Sequence, residues 1–170
     1  TLAPVSWSQS WSTYPGYFQT GSSIRTFETF QGNLVIGGLF DTVNNFTTGG
    51  VIIWDGNSFD SLTMDTKNWV YYMSVEGSQL FLGGTFNDFA GTGIYDMIIW
   101  DGTNYSAVGS ATHGWMMPAL GAAASSVLLY EGNYYFAGNF SGIPYLPGAE
   151  EIAMYDTVNG WSDMDGGFDS

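Results

Sequence analysis

The residues of this 170-residue chain that could do chemistry are mostly amides, carboxylates and aromatic rings, with a single imidazole and no thiol. Three asparagines open N-glycosylation sequons: Asn45-Phe46-Thr47, Asn104-Tyr105-Ser106 and Asn139-Phe140-Ser141. In each the side-chain amide would take the sugar and the hydroxyl two residues on completes the acceptor motif. Asn45 falls in an expected loop and is the foremost of the three, whereas Asn139 falls in an expected strand. Asp163, Asp165 and Asp169 surround the turn Gly166-Gly167, and carboxylates so placed can wrap Ca²⁺ with hard oxygen ligands. The full EF-hand spacing and its terminal bidentate Glu are missing, so an acidic turn near the end of the chain accounts for the same residues without metal.

Catalytic groups are scarce. His113 stands alone, and no Cys nucleophile, His-rich metal site or Gly-x-Ser-x-Gly elbow is present. Hydrolysis of a glycoside would need two carboxylates about 5 to 10 Å apart, and 16 acids spread along the chain single out no pair. The expectation is a protein that is not an enzyme and needs no cofactor, with Ca²⁺ as the one candidate ion. Tyr17, Trp115 and Tyr145 fall in expected loops, where aromatic faces suit stacking on sugar or on a protein partner.

Composition narrows the partners. Asp and Glu number 16 against two bases, Arg25 and Lys67, for a net charge of −14 that repels nucleic-acid phosphates and anionic membranes. No apolar run approaches the roughly 20 residues that span a bilayer as a helix, so membrane insertion is not expected. The chain opens on Thr1 with no charged and apolar leader pattern, as a mature product or an excerpt would. Only 11% of residues are charged, so solubility rests on Ser, Thr, Asn, Gly and attached sugar, a pattern that suits an extracellular or cell-surface location.

The elements that must position these residues are written as a repeat. Leu34-Val35-Ile36-Gly37-Gly38-Leu39-Phe40 returns as Leu80-Phe81-Leu82-Gly83-Gly84-Thr85-Phe86 and as Tyr134-Tyr135-Phe136-Ala137-Gly138-Asn139-Phe140. Val51-Ile52-Ile53-Trp54-Asp55-Gly56 returns as Met97-Ile98-Ile99-Trp100-Asp101-Gly102 and, more loosely, as Glu151-Ile152-Ala153-Met154-Tyr155-Asp156. Gly37 to Gly83 and Trp54 to Trp100 span the same interval, so the first two copies align without a gap. The third is longer, with its excess in residues 111–126 and in the Pro-rich stretch around Ile143-Pro144-Tyr145-Leu146-Pro147-Gly148, both expected loops. Period-two alternation, as in Ile24 to Phe30, and Gly-centred turns give four strands per copy. Asp55-Gly56 and Asp101-Gly102 predict type I′ hairpins with φ > 0 at both residues.

Four antiparallel strands in a unit of roughly 40 to 50 residues are the plan of a propeller blade. The Gly-Gly-x-Phe strand followed by a Trp-Asp-Gly hairpin resembles the kelch-like propeller repeats of large extracellular and cell-surface proteins, the Rax2-like family among them. The resemblance implies an all-β fold of three propeller-like four-stranded antiparallel repeats, at about 24–66, 67–110 and 111–170, within a domain spanning 21–170. The third copy departs from it at Ala137 and at Asp156-Thr157. Residues 1–20 form an arm with an extra strand, in which Val5, Trp7 and Trp11 match an outermost strand and could be donated to a neighbour. Recurring Phe40, Phe86, Trp54 and Trp100 are expected in the core.

Propellers typically close with about four to eight blades, so three repeats and a spare strand point to completion between chains. The leading expectation is a non-catalytic extracellular structural protein, glycosylated, forming a homo-oligomer, filament, coat or adhesive array through sheet edges. The alternatives are a carbohydrate- or protein-binding module and, third, a fragment of a glycosidase.

Overall fold

A computed structural model describes residues 17–62, 69–86, 94, 97–110, 114–115, 124–143 and 146–164. The described residues form strands and turns with no helix. The first repeat contributes β1 (Ser23–Phe30), β2 (Asn33–Leu39), β3 (Thr42–Val43), β4 (Phe46–Thr47), β5 (Val51–Trp54) and β6 (Phe59–Ser61). The second contributes β7 (Trp69–Glu76), β8 (Gln79–Thr85), β9 (Met97–Trp100) and β10 (Tyr105–Ala107), followed by a small ladder of β11 (Gly109–Ser110) with β12 (Gly114–Trp115). The third contributes β13 (Ala124–Tyr130), β14 (Asn133–Ile143), β15 (Leu146–Asp156) and β16 (Gly160–Ser162). Each repeat folds into its own antiparallel four-stranded sheet, in the orders β1-β2-β5-β6, β7-β8-β9-β10 and β13-β14-β15-β16.

The repeated glycines have a backbone cause. Each first strand slips register where it faces the glycine pair or its counterpart, between Ile24 and Thr26, Val70 and Tyr72, and Ala124 and Ser126. Such a bulge swings a carbonyl toward the partner strand. A Cβ on Gly38 would overlap the Ser23 carbonyl oxygen, and one on Gly84 would overlap that of Trp69. Gly37 faces side chains instead, with Val70 Cγ1 2.8 Å from the place a Cβ would occupy.

The turns separate into two kinds. Gln31-Gly32 (φ 50° and 81°) and Glu131-Gly132 (φ 49° and 84°) are left-handed pairs of the type I′ kind that join β1 to β2 and β13 to β14. The Asp-Gly turns differ from expectation, because Gly56 and Gly102 lie at φ 100° and 101° while neither aspartate does. The carboxylate shapes these turns: Asp55 Oδ1 accepts from the Asn57 and Ser58 amides at 2.6 and 2.7 Å, and Asp101 Oδ1 from the Thr103 and Asn104 amides at 2.7 Å each. Asp156 repeats the arrangement, accepting from the Val158 amide at 2.7 Å. Leu34 pairs with Trp54, Leu80 with Trp100 and Tyr134 with Tyr155, which sets Tyr155 at the Trp position, one residue later than the loose sequence match.

Three expected loops contain strand, and residues 111–126 hold β12. The segment after β2 holds the β3–β4 hairpin, and the Pro-rich insertion of the third repeat extends β14 and β15 to 11 residues each, paired as far as Ile143 with Leu146. Pro147 is tolerated in β15 because it lies beyond the central ladder.

The sheets stack in series. β7 packs against β1 and β2, and β13 packs against β7 and β8. The first interface buries Phe30, Val35, Val51, Val70, Met73, Leu80, Leu82 and Ile98, with the Phe30 and Trp100 rings 5.1 Å apart. The second buries Phe81, Met97, Val127, Phe136, Ala153 and Tyr155, with Phe81 5.2 Å from Tyr134. Polar contacts fix the second register. Tyr72 Oη accepts from the Val127 amide at 2.9 Å, Glu76 Oε2 from the Leu129 amide at 3.1 Å, and Tyr134 donates to Gln79 Oε1 at 3.0 Å.

Candidate functional site

The foremost sequon lies in the smallest hairpin. Asn44 and Asn45 adopt φ 51° and 63°, a left-handed pair that asparagine tolerates, and so reverse the chain between β3 and β4. Residues 17–19 run beside this hairpin. Asn44 Oδ1 accepts from the Tyr17 amide at 2.8 Å, the Asn44 amide donates back to the Tyr17 carbonyl at 2.9 Å, and Phe18 bridges to Val43. Thr42 donates its hydroxyl to Gln19 Oε1 at 3.0 Å. Part of the expected arm is thus paired with its own chain.

Together these residues line a shallow cleft of about 390 Å³, formed by Tyr17, Phe18, Gln19, Thr42, Asn44 and Asn45. Tyr17 is 85% exposed and presents its ring beside three amide side chains. An aromatic face with convergent amides and a hydroxyl is suited to a polyhydroxylated ligand, because the apolar ring faces of sugars stack while their hydroxyls bond to amides. Asn45 is exposed, so the same hairpin also presents its sequon amide to solvent.

The other two sequons differ. Asn104 is exposed, but its amide side chain lies 3.4 Å from Asp101 Oδ2 and its backbone amide bonds Asp101 Oδ1, so it belongs to the turn. Asn139 lies in β14, between Ala137 and Ser141, where pairing with β15 is irregular. Backbone hydrogen bonds from Asn104 and Thr103, with the Asn104 side chain, hold the Asp101 carboxyl below the usual carboxylate range. Ser58 and Asn57 amides do the same for Asp55. These carboxylates stay ionised because they accept from the chain, which is a structural duty.

Of the candidate Ca²⁺ ligands, Asp163 is described and half-buried, while Asp165 and Asp169 lie outside the described residues. Among the described residues no three His, Cys, Asp or Glu side chains converge on one point. Val5, Trp7, Trp11, His113 and Tyr145 also lie outside the described residues, and Trp115 is placed as backbone in β12. Phe40 and Phe86 are buried as expected, and Trp54 is half-buried with its ring 4.4 Å from Phe59.

A second feature escaped the sequence reading. Phe27 on β1 and Leu128 and Tyr130 on β13 are large apolar residues more than half exposed, at 57%, 55% and 57%. Comparison of the repeats marks two of them, since Leu128 and Tyr130 stand where the second repeat has Ser74 and Glu76, whereas Phe27 stands where the others have the apolar Met73 and Val127. The chain matches no family model, no curated protein and no solved structure.

Proposed function

We propose that this chain is a non-catalytic extracellular structural protein, glycosylated at the Asn45 hairpin, whose three sheets are propeller-type blades in a self-assembling filament, coat or adhesive array. The observation that carries this reading is the serial stacking of three equivalent sheets through their first strands, β1 to β7 to β13. Blades of a propeller are arranged in that way around an axis, and about four to eight are typical of a closed ring. Further sheets, from whichever chain, are needed to complete the stack. The partner is another copy of the same chain, at an extracellular or cell-surface location, and the charge of −14 argues against nucleic acid. The outer strands β6, β10 and β16 have three residues each, so the outer sheet edges offer only short ladders. Multi-angle light scattering is expected to give a mass above that of the monomer, rising with concentration. A monomer at every concentration would overturn the reading.

The cleft beside Asn45 favours a second reading, a carbohydrate-binding module in which Tyr17 stacks on a sugar ring and Gln19 and Asn44 bond its hydroxyls. Tyr17→Ala is then expected to lower glycan binding at least tenfold in titration calorimetry, as loss of one stacking face does. A glycan array on which the unmodified chain retains nothing would remove it.

A further inference from the structure

The geometry points to head-to-tail docking of a second copy of this chain, with the exposed β1 margin of its first sheet, at Phe27, seated on the exposed β13 margin of the third, at Leu128 and Tyr130. The inference rests on the reading of the chain as a self-assembling protomer and specifies the surface through which it assembles.

The repeat itself says what covers these faces. Leu128 pairs across the strands with Tyr135 as Ser74 does with Phe81 and Glu28 with Val35, so these positions are equivalent in the three sheets. In the first two sheets this face is covered by the next sheet, leaving Val35 and Phe81 fully buried, whereas Tyr135 is only half-buried. The opposite face shows the converse. Phe27 pairs with Ile36 as Met73 does with Leu82 and Val127 with Phe136. Met73 and Val127 are 2% and 3% exposed beneath the preceding sheet, and Phe27 is 57% exposed. Ile36 and Ile52 on that face are already covered by Phe40 and Val43 of the first repeat, so the open part at the first sheet is the β1 margin carrying Phe27 and Ile24, and at the third sheet the β13 margin carrying Leu128 and Tyr130.

Composition strengthens the case. A sheet face left in water is expected to carry more polar residues than a packed one. The third sheet does the reverse, with Leu128 and Tyr130 at the positions of Ser74 and Glu76. Both partner surfaces stand at positions that form internal interfaces in the neighbouring repeats. Phe30 meets Trp100 at 5.1 Å across the first interface, and the equivalent residues at the new one are Tyr130 of one copy and Trp54 of the other. Such a heterologous contact either closes a ring or propagates a filament. Two copies bring six sheets, within the range of about four to eight at which propellers close.

Two variants test the polarity of the contact. Phe27→Asp spoils one face, and Leu128→Asp with Tyr130→Asp spoils the other; circular dichroism checks that each remains folded. Each variant alone is expected to self-associate at least tenfold more weakly than the parent in sedimentation velocity. An equimolar mixture is expected to restore a dimer, because each variant keeps the face that the other has lost. A face pairing with its own kind would leave Phe27→Asp associated and give no rescue, and that result overturns the proposal. Because the chain has no cysteine, a mixture of Tyr130→Cys and Trp54→Cys chains gives an independent readout. It should form a disulfide between chains under mild oxidation, and absence of that cross-link in an associated sample also counts against the contact. Association of the parent that survives both Asp variants would overturn this docking mode and leave the structural reading standing; a monomeric parent would overturn both.

Discussion

Gly84→Ala is expected to lower the melting temperature by roughly 10 °C, the effect of about 3 kcal/mol on a domain of this size. The added Cβ would overlap the Trp69 carbonyl oxygen, a backbone atom held by the register slip between Val70 and Tyr72. Relief requires moving β7, and β7 packs on both the first and the third sheets. The strain is therefore transmitted across the stack, which is why overpacking here costs at the high end of its usual range. Gly37→Ala is the matched control. Its Cβ would meet side-chain atoms of Val70, Thr26 and Met73 at 2.8, 2.9 and 3.2 Å; the Met73 tip can turn aside, and the β-branched Val70 and Thr26 must shift slightly, a smaller demand than displacing a backbone carbonyl. Thermal melts followed by circular dichroism should rank the Gly84 variant well below the Gly37 variant. Equal melting temperatures would mean that the bulge does not dictate the glycine.

Phe81→Ala is expected to destabilise by about 3 to 5 kcal/mol, the cost of removing a buried aromatic ring and leaving a cavity. Phe81 is fully buried between the second and third sheets, where it meets Tyr134 beside Val127 and Phe136. Its loss should loosen the third sheet before the first, because the first interface is a separate cluster around Val35, Met73 and Leu82. Denaturant unfolding gives the magnitude. Hydrogen exchange gives the location, and the Val127 and Leu129 amides, which bond Tyr72 and Glu76 across the interface, should lose protection first. Uniform loss of protection over β1 and β13 would show that the three sheets unfold as one unit instead.

Strand positions were largely legible because the signals are local. Alternation in β1, the left-handed turn at Gln31-Gly32 and the apolar run Val51 to Trp54 each act over a few residues, and the structure places strands there. The errors were also local in cause. Asp-Gly predicts a type I′ pair, but a carboxylate that accepts from backbone amides two and three residues on offers the chain another turn; the first two repeats use it, and the third varies it with the Val158 amide and the Asn159 side chain on Asp156. Proline breaks ladders and so predicts loop for the Pro-rich insertion, yet β14 and β15 still pair as far as Ile143 with Leu146, beyond the central ladder.

The candidate sites were less legible. The sequon marks Asn45, but the cleft around it joins Tyr17 and Gln19 to residues more than 20 positions away, which no local pattern links. The exposure of Phe27, Leu128 and Tyr130 runs against the expectation that an apolar residue in a strand is core.

By itself the sequence determined that this is an all-β chain of three equivalent units, since turn chemistry and side-chain alternation are properties of neighbouring residues. Only the tertiary structure decided which face of each unit is covered. Alternation says that a strand has two faces but not what lies against either, and burial depends on the order in which the sheets stack. The glycine pair shows the same division: its recurrence was plain in the sequence, and its cause at Gly38 and Gly84, a carbonyl on the neighbouring strand, appeared only once that strand was in place.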